Sequence, residues 1–394
     1  MKWASSLSTD KELSACVEKA AASILSKLGP EEIDLLTVFI SPHFAESYHN
    51  LHALLEEHLP HQVLLGCSAE GIVGGGKEWE HKPGISVTAA SLPDVEILSF
   101  HSPTTDLPDL DSSPRVWHDW LDLNPDAVNC FILLGDPFSF DADSVLSGLD
   151  FAYPHAAKIG GLASGAGQPG GNRLYVDGGM EDKGMALLAL GGNIEVDTIV
   201  AQGCRPIGKS LCITKCQGNL LQAIDGQPPL AYLQKLAEEL TDYDRPLINT
   251  SLFLGIQISD TNPGDRSTEF LIRNLMGLSH ETGGIAIGAT LQEGQTVQFH
   301  LRDKQMSAKD LSVHLDRYAE DNNSKSAAGA LLFSCLGRGE YLYGEPDHDT
   351  GLFHDKLGAI PLGGFFCNGE IGPVGDKTFI HGYTSSFGIF REKG

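Results

Sequence analysis

Apolar positions along this chain switch between a helical and a strand period, and the switching repeats. Asp10 caps a stretch in which Leu13, Val17, Ala20, Ala21, Ile24 and Leu28 share one helical face, and Gly29-Pro30 ends it. Residues 35–40 are a continuous β-type run. Residues 44–58 return to helical spacing through Leu51, Leu54 and Leu55, and 62–65 is a second strand running into Gly66. The order restarts at Cys130 with strand 130–134, helix 142–151 and strand 157–159, which runs into Gly160. It restarts once more at Ala330 with strand 330–334, a short helix at 351–357 and strand 360–362, which runs into Gly363-Gly364. Further strands follow each pass, at 85–90 and 95–100, at 185–190 and at 385–390. A strand-helix-strand crossover makes its two strands parallel neighbours, and the next strand then returns antiparallel through the turn. The pattern predicts an α/β (mixed α+β) fold with mixed β-sheets and packed helices, built from repeated βαββ units.

Between the second and third passes the chain reads as strands at 196–201, 211–215, 220–224, 252–258, 270–275, 284–288 and 296–301, with one helix at 229–240 and an amphipathic stretch at 307–318. Residues 104–114, rich in Pro, Asp and Ser, read as a surface loop. A seam near 225–227 divides the sequence into two expected modules, 1–225 and 226–394.

Each pass carries a pair of glycines five positions apart: Gly66 and Gly71, Gly160 and Gly165, Gly364 and Gly369. Glycine alone tolerates positive φ or a close backbone approach without penalty, so each pair is expected to mark a strand end and its turn. Ligand sites in α/β sheets favour the carboxyl ends of strands. The candidates there are Cys67 and Ser68 in the first pass, Ser164 in the second, and Cys367, Asn368 and Glu370 in the third.

Charge and composition narrow the function. The 394 residues carry 52 acidic against 27 basic side chains, a formal net charge of −25. Most of such a surface repels a phosphate backbone or an anionic bilayer, which argues against nucleic acid or a membrane as the main partner. No apolar run approaches the roughly 20 residues of a spanning helix, and the start of the chain lacks the pattern of a signal peptide. Eight scattered cysteines suit a reducing compartment, so the expected location is the cytoplasm. No cofactor is expected. Gly165-Ala166-Gly167-Gln168-Pro169-Gly170 has dinucleotide spacing, but Pro169 stands where a helix must open. Asp347-His348-Asp349 reads as a solvated loop, and no metal site is assigned.

Cys335-Leu336-Gly337-Arg338 carries more chemistry. A strand running into a glycine turn places a thiol beside a guanidinium, and a nearby cation activates a thiol. The other reading buries Cys335 and pairs Arg338 with an acid such as Glu340 or Glu345. Cys335 and Arg338 are expected to line one cleft with Cys367, Asn368 and Glu370.

Leu64-Leu65-Gly66-Cys67-Ser68, Gly203-Cys204-Arg205-Pro206-Ile207-Gly208, residues 331–338 and residues 363–371 together resemble the FIST family, over nearly the whole chain. The resemblance implies a stand-alone protein of an N-terminal and a C-terminal FIST module. It also implies an intracellular sensory role in which small ligands, amino acids among them, are bound and a signalling protein responds. In many relatives the first motif reads Gly-Cys-Ser, two small residues, then Gly-Glu; here Glu70 precedes Gly71, which leaves Glu370 as the acid the resemblance supports. Three functions follow as expectations. In the first, a zwitterion is bound with Glu370 and Asn368 on its amine, Arg338 on its carboxylate, and Ser68 and Ser164 as hydroxyls. The second is an enzyme with Cys335 or Cys67 as nucleophile, and the third a protein-interaction scaffold.

Overall fold

The computed structural model describes residues 1–103, 106–258, 270–322 and 326–393. Thr104 and Thr105 of the expected surface loop lie outside these residues. The chain forms two compact units, Met1–Ala201 with Ser312–Gly394, and Gln202–Leu311.

The first unit is one plan executed three times. Repeat 1 runs β1 (Lys2–Ser8), α1 (Leu13–Leu28), β2 (Ile33–Ile40), α2 (Leu51–His58), β3 (His61–Ser68), a hairpin of β4 (Gly71–Gly74) and β5 (Lys77–Glu80), and β6 (Ile85–Ser91). Repeat 2 runs β7 (Val95–Ser102), α3 (Pro114–Leu121), β8 (Val128–Gly135), α4 (Ala142–Ala152), β9 (Ala157–Leu162), a hairpin of β10 (Leu174–Val176) and β11 (Gly179–Glu181), and β12 (Met185–Gly192). Repeat 3 opens with β13 (Glu195–Ala201) and is then interrupted by the second unit.

That unit is a closed six-stranded barrel ordered β14 (Cys204–Gln217), β15 (Leu220–Ile224), β18 (Ile285–Ile287), β17 (Phe270–Leu278), β16 (Leu252–Gln257) and β19 (Thr296–Arg302), with helix α5 (Pro229–Glu239). Its core gathers Ile207, Leu221, Leu254, Ile285 and Phe299. Arg205 of the Gly-Cys-Arg-Pro motif is paired inside this unit with Asp244 and Asp303. Repeat 3 resumes with α6 (Lys304–Asp321), β20 (Gly329–Cys335), α7 (Gly339–Tyr343), α8 (His348–Leu357), β21 (Leu362–Cys367), a hairpin of β22 (Glu370–Val374) and β23 (Lys377–His381), and β24 (Ser385–Arg391).

The three sheets share one strand order: β1-β6-β2-β3, β7-β12-β8-β9 and β13-β24-β20-β21. In each, the crossover pair is parallel and the last strand of the repeat returns antiparallel. The apolar periodicity explains why these elements form. Helix α1 buries its Leu13, Val17, Ala20, Ile24 and Leu28 face, and Gly29 ends it at φ +75°. Each fully buried leucine or isoleucine there contributes roughly 1.5–3 kcal/mol.

The hairpins were not foreseen. The sequence placed simple turns after the glycine pairs, whereas each repeat sends a hairpin to the sheet of another repeat. The hairpin of repeat 1 adds to β21 of repeat 3, that of repeat 2 to β3 of repeat 1, and that of repeat 3 to β9 of repeat 2. The glycines make this exchange feasible. The first of each pair lies inside a strand rather than at its end. A Cβ on Gly66, Gly160 or Gly364 would stand 2.2, 1.8 and 1.9 Å from the carbonyl oxygens of Val38, Leu133 and Leu332 on the adjoining parallel strand. Gly160 and Gly364 also hold φ near +146° and +145°, which other residues adopt only with strain. The second glycines seat the exchanged chain. A Cβ on Gly71 would meet the Phe366 ring at 2.7 Å, one on Gly165 would meet Ser68 Cβ at 2.6 Å, and one on Gly369 would meet Leu162 Cδ1 at 3.2 Å.

Candidate functional site

Two polar clusters lie at joints between repeats in the first unit. In the first, β3 of repeat 1 ends against repeat 2. The backbone N–H groups of Ser164 and Gly165 both donate to the Ser68 carbonyl at 3.2 Å. The Ser68 hydroxyl accepts from the Arg173 N–H at 2.9 Å and donates to Asn172 Oδ1 at 3.4 Å. Asn172 is itself buried, takes the Ala166 N–H on Oδ1 at 2.9 Å and donates to Asp136 Oδ1 at 3.2 Å. The Ser164 hydroxyl accepts the Glu70 N–H at 3.0 Å and donates to the Phe366 carbonyl, which ties in the third motif.

Arg173 stands at the mouth of this network, half-buried. Its guanidinium donates to the carbonyls of Gly170 at 2.7 Å and Asn172 at 2.6 Å. Among the described residues no carboxylate lies within ion-pair distance of it. Glu70, two residues beyond Ser68, is partly exposed and faces His81 at 3.0 Å.

The second cluster lies where the hairpin of repeat 1 covers α7 and α8 of repeat 3. Arg338 is completely buried in the turn after β20, its N–H on the Cys335 carbonyl. Its Nε donates to Asp349 Oδ2 at 2.7 Å and its Nη2 to Asp349 Oδ1 at 3.2 Å. Nη2 also reaches the Tyr343 hydroxyl at 2.6 Å, and Nη1 the Tyr383 carbonyl at 3.3 Å. Burial by itself would raise the Asp349 carboxyl; the Arg338 charge and hydrogen bonds from His348, Arg338 and Ser385 overcome that and hold it well below the carboxylate range.

Glu78 of β5 accepts the Thr350 N–H at 2.9 Å in the same cluster. Burial first, and then repulsion from Asp349, push its carboxyl up to about 8. Glu80, raised by burial, accepts the Glu340 N–H at 2.9 Å.

The candidates from the sequence therefore divide. Ser68 and Ser164 meet in the first joint. Cys335 and Cys367 are cross-strand partners at the ends of β20 and β21. The Cys335 N–H donates to the Thr384 carbonyl, and the Thr384 N–H donates to Glu370 Oε2 at 3.1 Å, which brings Glu370 beside the two cysteines. Asn368 is exposed at the turn, its N–H on the Leu162 carbonyl. Cys67 and Cys367 are fully buried, and burial pushes both thiols well above their ordinary value. Cys335 is partly exposed, with the Gly337 N–H 3.4 Å from its sulfur.

Two expectations require correction. Arg338 is not presented to a ligand carboxylate, because Asp349 already neutralises it; the acid is neither Glu340 nor Glu345. Nor is Asp347-His348-Asp349 a solvated loop: Asp349 opens α8 from the inside, almost fully buried. The sequence also passed over Asn172 and Arg173. They form a polar pair that closes the glycine-rich stretch after Ser164.

A mixed α/β body of three hairpin-exchanging repeats with an inserted barrel, and with polar joints between repeats, defines the class of this protein. The chain belongs to the FIST family. The FIST N domain matches residues 34–227 and the FIST C domain residues 231–373. An uncharacterized protein of Mycobacterium tuberculosis is 32% identical over 384 residues, covering 98% of each chain. An uncharacterized protein of Mycobacterium bovis is 35% identical over 328 residues, 83% of each. An F-box/LRR-repeat protein of Arabidopsis thaliana is 28% identical over 115 residues, 25% of this chain and 22% of that protein. The crystal structure of a cyanuric acid hydrolase from A. caulinodans aligns over 100% of this chain and 99% of its own, at 9% identity and a TM-score of 0.38, too distant to support an argument. FIST domains are sensory, small-ligand-binding domains. No helix among the described residues is long and apolar enough to cross a membrane.

Proposed function

We propose that this FIST protein senses a small zwitterion, of the amino-acid class, at the joint between Ser68 and Ser164. The observation that carries the reading is Arg173, a half-buried guanidinium whose hydrogen bonds among the described residues go to backbone carbonyls, beside a network of buried polar groups. It replaces Arg338 as the group that receives a ligand carboxylate. Glu70, partly exposed two residues beyond Ser68, and Asn368, exposed at the neighbouring turn, are the groups for an amine. Ser68 and Ser164 position the walls, since both hydroxyl protons are already committed to protein acceptors. Glu370, buried against Thr384, shapes the site from behind.

The test is calorimetric titration of the full chain with a panel of amino acids and small carboxylates, chosen by their effect on the unfolding temperature. A charge-assisted hydrogen bond is worth roughly 1.5–3 kcal/mol, so Arg173→Ala should weaken binding by about tenfold or more. Unchanged affinity in that variant, or a ligand that binds without a carboxylate, would remove the reading.

A second reading, thiol chemistry at Cys335, is favoured by its partial exposure and the N–H aimed at its sulfur. Fast alkylation of Cys335 alone near neutral pH would support it. Labelling no faster than that of the exposed Cys212 would not.

A further inference from the structure

The joint between repeats 1 and 2 has a second end, at the tip of the hairpin β10–β11, and a different chemistry gathers there. His52 and Glu56 stand one turn apart on α2, and His61 opens β3 after that helix has ended. One ring nitrogen from each histidine and one Glu56 oxygen all lie within 4.8 Å of one another. They line a cavity of about 390 Å3, which Asp177 and Gly178 of the hairpin tip close from the other side. All four side chains belong to the first unit.

Three details distinguish this group from an incidental surface cluster. The His61 side chain is only 2% exposed, so its ring is held in place by packing. Its Nδ1 lies 2.7 Å from the Leu59 carbonyl. A carbonyl oxygen can only accept, so Nδ1–H donates to it, and Nε2 faces Glu56 Oε1 at 3.5 Å. A backbone carbonyl that holds Nδ1–H orients the ring so that Nε2 is the atom available to a metal. Two ligand atoms on one tetrahedral zinc, each at roughly 2.0–2.2 Å from it, stand about 3.4 Å apart, close to the 3.5 Å between His61 Nε2 and Glu56 Oε1. Finally, His52 Nδ1 is a buried ring nitrogen with no hydrogen-bond partner among the described residues. A buried imidazole nitrogen without a partner is costly unless something occupies it.

We propose that His52, Glu56 and His61 form a binding site for a divalent transition-metal ion of the zinc class. Two imidazoles and one carboxylate suit such an ion better than magnesium or calcium, which prefer all-oxygen shells. Asp177 or water takes the fourth position. With Asp177, which comes from repeat 2, as the fourth ligand, the ion ties the exchanged hairpin to the sheet that receives it. The site stands apart from Arg173, at the opposite end of β10.

The experiment uses the full chain, stripped with a chelator, dialysed, and titrated with Zn2+ by calorimetry and with Co2+ by visible absorption. One equivalent should bind, with the intense d–d bands of a four-coordinate cobalt and without a thiolate charge-transfer band in the near ultraviolet. His52→Ala and Glu56→Gln should each weaken binding by roughly tenfold or more, and Arg173→Ala should leave it unchanged. His61 is too buried for its loss to be read safely, but Glu56 is about half exposed, so Glu56→Gln tests the site without threatening the fold. A thiolate band, unaltered affinity in both His52→Ala and Glu56→Gln, or no binding below millimolar Zn2+ would overturn the proposal.

Discussion

Two joints of the same design carry opposite electrostatics. Where the hairpin of repeat 1 covers repeat 3, a buried guanidinium meets a buried carboxylate in two hydrogen bonds, and a second acid, Glu78, is kept neutral by burial and by that carboxylate. The cluster is closed on itself. Where the hairpin of repeat 2 covers repeat 1, the Tyr175 hydroxyl donates to the Tyr48 carbonyl, the Arg173 guanidinium rests on two carbonyls of its own loop, and two imidazoles line a cavity. Here, among the described residues, the guanidinium has no carboxylate within ion-pair distance and His52 Nδ1 has no hydrogen-bond partner. On the reading proposed above, the closed joint is structural and the other takes the ligand.

The sharpest way to break the comparison is to remove the guanidinium from each joint. Arg338→Ala leaves Asp349 buried and uncompensated, and should cost about 3–5 kcal/mol in denaturant unfolding. Arg173→Ala should cost less than about 1 kcal/mol in the same assay while abolishing most ligand affinity. Equal losses of stability would mean that both arginines are structural.

Next in size is a pH effect confined to the closed joint. Burial, and after it repulsion from Asp349, push the Glu78 carboxyl from an ordinary 4.5 up to about 8, so the folded state holds the proton more tightly than the unfolded chain does. The stability contributed by neutral Glu78 is therefore complete below its unfolded value and is lost as pH rises through about 8. Glu78→Gln, which mimics the neutral acid, should match the wild type near about pH 4 and melt at a higher temperature near about pH 9. A difference that shrinks as pH rises would contradict the assignment. The smallest effect is on thiol labelling. Cys212 and the half-buried Cys335 should react before Cys67 and Cys367, whose burial disfavours the thiolate; early loss of Cys67 would show that the core opens at the first motif.

The crossovers were legible because each is local: a β-type run, an amphipathic helix and a second run lie within a few dozen residues. The middle strands 196–201, 220–224 and 296–301 were legible for the same reason. The hairpins were not, because β10 and β11 are three residues each and their pairing is decided by distant chain, as Gly71 with Phe366 shows. The glycine spacing was seen but misread, since a strand glycine facing a carbonyl and a turn glycine look alike in one sequence. For the site, Cys335 and Arg338 were found together, yet Asp349 was hidden by its polar neighbours Asp347 and His348. Arg173 follows Gly-Gly-Asn, and only its place beside Ser68 gives it meaning.

The exchange of hairpins has a consequence for ancestry and symmetry. Each repeat gives a hairpin to one neighbour and receives one from the other, and after three the ring closes, as a head-to-tail assembly of three identical copies would close. In such a trimer every joint would have to be identical, and a residue change would appear three times. Covalent linkage removes that obligation. One joint can become an ion-paired lock, another can keep an arginine with no carboxylate near it among the described residues, and the third can rest on Thr378 hydrogen-bonded to Asp150. The same freedom lets a whole barrel be inserted between β13 and α6 of a single repeat.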